Sequence, residues 1–186
     1  MLQKTPSVPA ESAVPHAGGV SDDQFRAALS RLAAGVVLVT AHDPDEGPHG
    51  EDVGMTATAF MSVSLDPPLV MASVRTGARM DELLERQPLW AVSILAEDQR
   101  QAAGRFAMKG RISDRLLFQD LPHHRGAASG APLADQALAQ LECHTEQRVT
   151  AGDHTLVIGR VLTAATPGTT TEGPLTYFRG RYRRLG

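Results

Sequence analysis

Residues 54–74, GMTATAFMSVSLDPPLVMASV, decide how the rest of the chain is read. Thr56, Thr58, Ser62 and Ser64 recur at even spacing among small or apolar neighbours, interrupted only at position 60. Alternate residues of a strand face the same side, so this spacing predicts small hydroxyls on one face and Met55, Ala57 and Ala59 on the other. Small side chains leave the backbone open, and such a strand can line up N–H groups and hydroxyls along a flat ligand with a polar edge. The same composition also fits a strand whose Thr/Ser edge simply faces solvent. Pro67 and Pro68 then impose extended geometry and end ladder pairing, which predicts a rigid corner before the buried strand LVMASV.

Upstream, Ser21 and Gln24 fit a capping box and Asp22 and Asp23 suit the positive end of a helix dipole. The helix they open carries Phe25, Ala28, Leu29, Leu32 and Ala33 on one apolar face, with Gly35 as its stop. VVLVT (36–40) follows as a buried strand. Residues 41–52, AHDPDEGPHGED, hold two prolines, two glycines and five acids, and predict a solvated hairpin loop. Downstream, LWAVSIL (89–95), LAQLECHTEQRVT (138–150), HTLVIGRVLTAA (154–165) and TYFRGRY (176–182) read as strands. RMDELLER (79–86) and EDQRQAAGRFA (97–107) read as helices. Six or seven strands with few helices predict a mainly β fold, an antiparallel barrel with helical insertions. Pro6, Pro9, Pro15 and the pair Gly18-Gly19 mark residues 1–20 as a disordered tail, leaving 21–186 as one domain.

Several functions are excluded by what the chain lacks. With 42% hydrophobic and 21% charged residues it is an ordinary globular composition. A net charge of −3 gives no field to attract nucleic acid or an anionic membrane. No apolar run approaches a membrane span and the N-terminus carries no secretory core, so the expected location is the cytoplasm. Cys143 is the single cysteine, which excludes an internal disulfide and a cysteine-built zinc site. Dinucleotide, P-loop and H-E-x-x-H fingerprints are absent, as is the serine elbow of hydrolases. His123 and His124 are adjacent and point to opposite faces of a strand, so no metal site is expected.

The stretch GMTATAFMSVSLDPPLV resembles the flavin reductase-like family, whose fold is the FMN-binding split barrel. FRAALSRLAAGVVLVT, LWAVSILAEDQRQAAGRFA, GAPLADQALAQLECHT, AGDHTLVIGRV and PLTYFRGRY match further segments in order, covering about residues 24–183. The chain is similar to the short, single-domain members that supply reduced flavin to a separate monooxygenase.

This resemblance implies an NAD(P)H:flavin oxidoreductase using FMN or FAD with NADH or NADPH, working as a homodimer beside an oxygenase partner. It implies a flavin cradle of Met55, Thr56, Ala57, Thr58, Ala59, Ser62, Val63 and Ser64, with Phe106 nearby. Arg75 and Arg79 in SVRTGARM would meet the phosphate, Arg79 near a helix N-terminus. Relatives carry Ser or Thr near position 78, where this chain has Ala78. His154 is implied beside flavin and nicotinamide as the catalytic position, and Arg179, Arg181 and Tyr182 beside the nicotinamide dinucleotide. From the residues alone, His154 also fits a strand-start histidine tied to a loop, and the arginines of RGRYRRLG also fit a solvated end. A hairpin turn centred on residue 151 would set His154 opposite Arg148 and His144 opposite Ile158, so that the two histidines share no site. Alternatives from other classes are a flavoprotein of this fold with tightly bound FMN, a non-catalytic flavin-binding module, and a barrel with no ligand.

Overall fold

The computed structural model describes residues 19–108, 113–167 and 172–185, so most of the tail expected over 1–20 lies outside the described residues. Helix α1 (Asp22–Leu29) opens as its sequence dictates. The Gln24 N–H donates to the Ser21 hydroxyl at 3.2 Å, and the Ser21 N–H donates to the Gln24 side chain at 3.0 Å. Its apolar face finds no cover from the rest of the fold: Phe25, Leu29 and the following Leu32 all stand in solvent.

After the short β1 (Ala34–Gly35) come β2 (Val37–Asp43), β3 (Glu51–Ala57), β4 (Phe60–Leu65) and β5 (Pro68–Arg75), then helix α2 (Arg79–Arg86) and β6 (Leu89–Ile94). Helices α3 (Arg100–Phe106) and α4 (Asp114–Gln119) are followed by β7 (His123–Arg125) and β8 (Pro132–Ala134). The long pair β9 (Ala139–Ala151) and β10 (His154–Ala165) precedes β11 (Thr176–Phe178) and β12 (Arg181–Arg183). Seven strands form one antiparallel sheet in the order β3-β2-β6-β9-β10-β5-β4. Strands β3 and β4 therefore sit at opposite ends of that order, yet only Thr58 and Ala59 join them. Three residue steps reach about 10 Å, so the sheet must curl until its two edges meet. The result is an antiparallel split barrel, with Thr58 and Ala59 crossing its seam.

Strand β2 shows why VVLVT is apolar without alternation. Val37, Val39 and Ala41 point into the barrel, where Trp90, Val92, Val157 and α2's Met80, Leu83 and Leu84 meet them. Val36 and Leu38 point outward into a second core with Leu95, Phe106, Leu117 and Phe118. Both faces are covered, so both are hydrophobic.

Five expectations change. Helix α1 ends at Leu29 with Ser30 as its C-cap, so Leu32 and Ala33 lie beyond it and Gly35 belongs to β1 instead of stopping the helix. The loop expected over 41–52 is shorter: the β2–β3 ladder continues to the pair Asp43 and Glu51, because ion pairs hold its polar ends. TYFRGRY is not one strand but the hairpin β11–β12, turned by Arg179 (φ 50°) and Gly180 (φ 72°), two positive angles in sequence that suit a right-twisted hairpin. Across β9–β10 the turn is Gly152-Asp153, so Arg148 pairs with Val157 and His144 with Arg160 rather than with His154 and Ile158; a bulge at Ile158/Gly159 shifts the register further. Pro68 does not end pairing but opens β5 opposite Leu65.

Candidate functional site

The barrel seam and helix α3 enclose two cavities along β3. One, of about 430 Å³, is lined by Gly54, Met55 and Thr56 of β3, by Arg75, Ala78 and Arg79, and by Phe106, Ala107 and Asp114. The other, of about 490 Å³, is lined by Thr56, Ala57 and Thr58, by Arg100 and Gly104 of α3, and by Tyr177, Arg181 and Tyr182 of the C-terminal hairpin. Thr56 and Ala107 border both. A third cleft, of about 750 Å³, continues past Arg100, Gly104 and Tyr182 toward Arg183 and Arg184.

Close approach shapes the wall of the first cavity. A Cβ on Gly54 would lie 2.7 Å from the Phe106 ring and 2.9 Å from that of Phe118. Those two rings pack edge to face with centroids 5.0 Å apart, fixing the side of the cavity that faces α4. The Thr56 hydroxyl donates to the Ala103 carbonyl at 3.4 Å, docking α3 on β3. Burial and the neighbouring Tyr177 push the Tyr182 phenol above its ordinary value, while Arg100 and the Thr56 hydroxyl pull it back.

The cationic end is less simple than its sequence. Arg79 donates to Glu46 at 2.8 Å and to Glu51 at 2.7 Å, and reaches Asp114 at 3.5 Å. Burial works against its charge, but the two glutamates more than offset this and raise its pKa. Arg75 is exposed and makes no ion pair among the described residues. His154 is Arg75's cross-strand partner at the end of β10, half-exposed, with Nδ1 2.8 Å from Asp153. That contact first, and the charge on His154 with it, hold the Asp153 carboxyl below its usual range.

The expected residues thus divide. Met55, Thr56, Arg75, Arg79 and Phe106 meet around one cavity, and Thr56, Ala57, Thr58, Arg181 and Tyr182 around the other. Ala59 lies at the seam, its carbonyl accepting from the Ser73 N–H at 3.0 Å. Ser62, Val63 and Ser64 belong to the edge strand β4 and are not among the residues lining either cavity. Nor do the four hydroxyls form one row. Thr58 and Ala59 leave the ladder, and the alternation restarts on β4. His154 flanks the first cavity through Arg75, and Arg179 sits in the hairpin turn over the Phe178 ring, 5.2 Å from its centroid. Sequence reading missed Arg100, Gly104 and Asp114 as cavity residues. Gly104 in a helix was the available signal, since the missing Cβ leaves room in the wall toward Tyr182. Among the described residues no group of three or more His, Cys, Asp and Glu side chains is placed to hold a metal ion.

The flavin reductase-like domain family matches residues 29–186. The chain belongs to that family. It is 37% identical over 159 residues to the NADH-dependent flavin reductase StyB of Pseudomonas fluorescens, covering 85% of this chain and 86% of that protein. It is 39% identical over 162 residues to an NADH-dependent FAD reductase of Streptomyces globisporus, covering 87% of this chain and 85% of that one. Among solved structures, BorF, the flavin reductase component of a bacterial two-component tryptophan halogenase, superposes with a TM-score of 0.78 at 38% identity, over 89% of this chain and 98% of BorF. The Streptomyces globisporus NADH:FAD oxidoreductase SgcE6, in complex with NAD and FAD fragments, gives a TM-score of 0.79 at 35% identity, over 95% and 98% of the two chains.

The cavities fit a flavin in this family. Each lies in the size range of small-molecule sites, and their shared wall is built from small and hydroxyl side chains.

Proposed function

We propose that this chain is an NADH-dependent flavin reductase that hands reduced FMN or FAD to a separate oxygenase component. One observation carries the reading: two cavities of similar size meet along β3 at Thr56 and Ala107, so a ring in one borders a second ring in the other. When bound, the flavin accepts a hydride from the reduced nicotinamide and carries the redox chemistry itself. The chain's task is to bind, orient and exclude water. Met55 and Thr56 offer backbone groups and a hydroxyl to the polar edge of the isoalloxazine, Ala57 and Thr58 continue that wall into the second cavity, and Ala59 closes the seam behind them. Phe106 limits its far side. Arg75 faces the ribityl phosphate, and Arg79 lines the same end.

The nicotinamide takes the second cavity, with Tyr182 and Arg181 along its wall. The arginine-rich cleft beyond Arg100 accommodates the rest of the dinucleotide, which Arg179 flanks from the turn. His154, across the strands from Arg75, is the catalytic position we assign at the flank of the flavin cavity. NADH is preferred over NADPH, as the relatives' names support.

A homodimer is part of the same proposal, and strand β4 supports it. Met61, Val63 and Leu65 are exposed on the edge of the seven-stranded sheet, Leu65 by 94%. A bare apolar edge invites pairing, and a second copy covers it. Sedimentation of the wild type as a dimer, shifted toward monomer by Leu65→Lys, supports this arrangement; a wild-type monomer overturns it.

The deciding experiment measures NADH and NADPH oxidation with and without added FMN, FAD and riboflavin. Rapid oxidation of NADH only with added flavin is expected. Oxidation of neither nicotinamide with any flavin overturns the reading.

A further inference from the structure

Residues 75–79 join β5 to α2 at the cationic end of the 430 Å³ cavity, where a flavin phosphate would meet the protein. The donors of this loop are turned inward. The Thr76 N–H donates to the Asp153 carbonyl at 3.1 Å, and the Thr76 hydroxyl lies 3.4 Å from that of Thr155. The Gly77 N–H donates to the Asp81 carboxylate at 3.0 Å, and the Ala78 N–H to the Arg75 carbonyl at 3.1 Å. Ala78, at the N-cap of α2, supplies no side-chain cap.

Arg79 is held in the same way. One terminal nitrogen serves both Glu46 and Glu51, and the other reaches toward Asp114. Glu46 and Glu51 thus crowd one end of the guanidinium with carboxylates, and Asp114 approaches its other nitrogen. A phosphate monoester carries about −1.5 to −2 at neutral pH. To reach Arg79 it must displace carboxylates that then remain close by as like charges, a cost that salt only partly screens. Among the described residues that line this cavity, Arg75 is the guanidinium left for the phosphate.

We propose that Glu46 and Glu51 are specificity-determining residues that withdraw Arg79 from the flavin phosphate, so that the site selects flavins by ring and ribityl chain and takes riboflavin about as well as FMN. This rests on the reading of the cavity as the flavin site.

The test is a direct titration of riboflavin and of FMN, followed by flavin fluorescence, with wild type, Glu46→Gln/Glu51→Gln, and the same double variant carrying Arg79→Gln. Wild-type dissociation constants for the two flavins are expected within about threefold of each other. In the double variant FMN should bind roughly five- to tenfold more tightly while riboflavin is unmoved, an effect of about 1 kcal/mol or slightly more by the tenfold-per-1.4 kcal/mol relation. Adding Arg79→Gln should abolish that gain. Glu46 and Glu51 are about half-exposed loop and strand-end residues, and the wild-type comparison requires no variant to fold. A wild-type preference for FMN beyond tenfold overturns the proposal. So does a double variant with no gain for FMN. Binding of neither flavin overturns the flavin-site reading itself, a result distinct from both.

Discussion

The hydroxyl of Thr56 reaches from β3 to the carbonyl of Ala103 in α3, at 3.4 Å, on the divide between the two cavities. One side chain thus holds the helix that walls the second cavity and faces the site on both sides. Thr56→Val keeps the volume and removes the hydroxyl, which costs about 1 kcal/mol per lost hydrogen bond. Turnover of NADH with saturating flavin should fall roughly tenfold, with a melting temperature within a few degrees of wild type. Thr58→Val, at the seam and in contact with the second cavity alone, should lower turnover by a smaller factor. Wild-type steady-state rates in both variants would remove the two hydroxyls from the site.

Gly54→Ala tests the close approach of β3 to the aromatic pair. The added methyl must displace the Phe106 and Phe118 rings, which it would meet at 2.7 and 2.9 Å. Overpacking of this kind costs about 1–3 kcal/mol. Because Phe106 also lines the 430 Å³ cavity, the flavin KM should rise together with the loss of thermal stability. A variant that melts lower with its flavin KM intact would show that Phe106 supports the fold and not the site.

Local rules carried the reading furthest where the physics is local. The capping box at Ser21 and Gln24, the buried strand at 36–40 and the helix at 79–86 all stand where their residues put them. The hydroxyl spacing of 54–64 was misleading for a long-range reason. Only closure of the barrel separates Thr56 on β3 from Ser62 on β4, and closure leaves no mark in a two-residue connection. Arg79 was legible as a cation near a helix start. Its three carboxylates come from positions 46, 51 and 114, which only the folded chain brings together. The hairpin turn at Arg179-Gly180 was hidden for another reason: Arg179 is a residue that seldom adopts a positive φ.

His154 occupies the end of β10 opposite Arg75, with its imidazole bonded to Asp153 and half-open to solvent. An exposed side chain of this kind contributes little to folding, so His154→Ala should melt close to wild type. If it positions the hydride donor through Arg75 and Asp153, kcat/KM for NADH should drop about tenfold, and His154→Gln should recover part of the loss. Equal loss in both variants would point to the imidazole itself. Unchanged kinetics in both would make His154 a strand-end residue only.

The acid limb of stability should report on Asp43 and Arg86. Asp43 is 1% exposed at the end of β2, and Arg86 of α2 grips both its oxygens, one at 2.9 Å. The hydrogen bond from Arg86 holds the carboxyl below its usual range against the opposing effect of burial. A carboxylate whose pKa is depressed by folding adds stability above its unfolded value, about 3.9, and loses it as the pH falls through the folded value. Wild type should therefore lose stability as the pH falls below about 5 and on through the depressed folded value. Arg86→Met leaves a buried carboxylate unpaired, so this variant should melt lower than wild type at neutral pH. Protonation relieves the variant while it costs wild type its ion pair, so the gap between them should narrow on acidification. A gap of constant size from about pH 7 to pH 3 would mean that the pair does not couple protonation to folding.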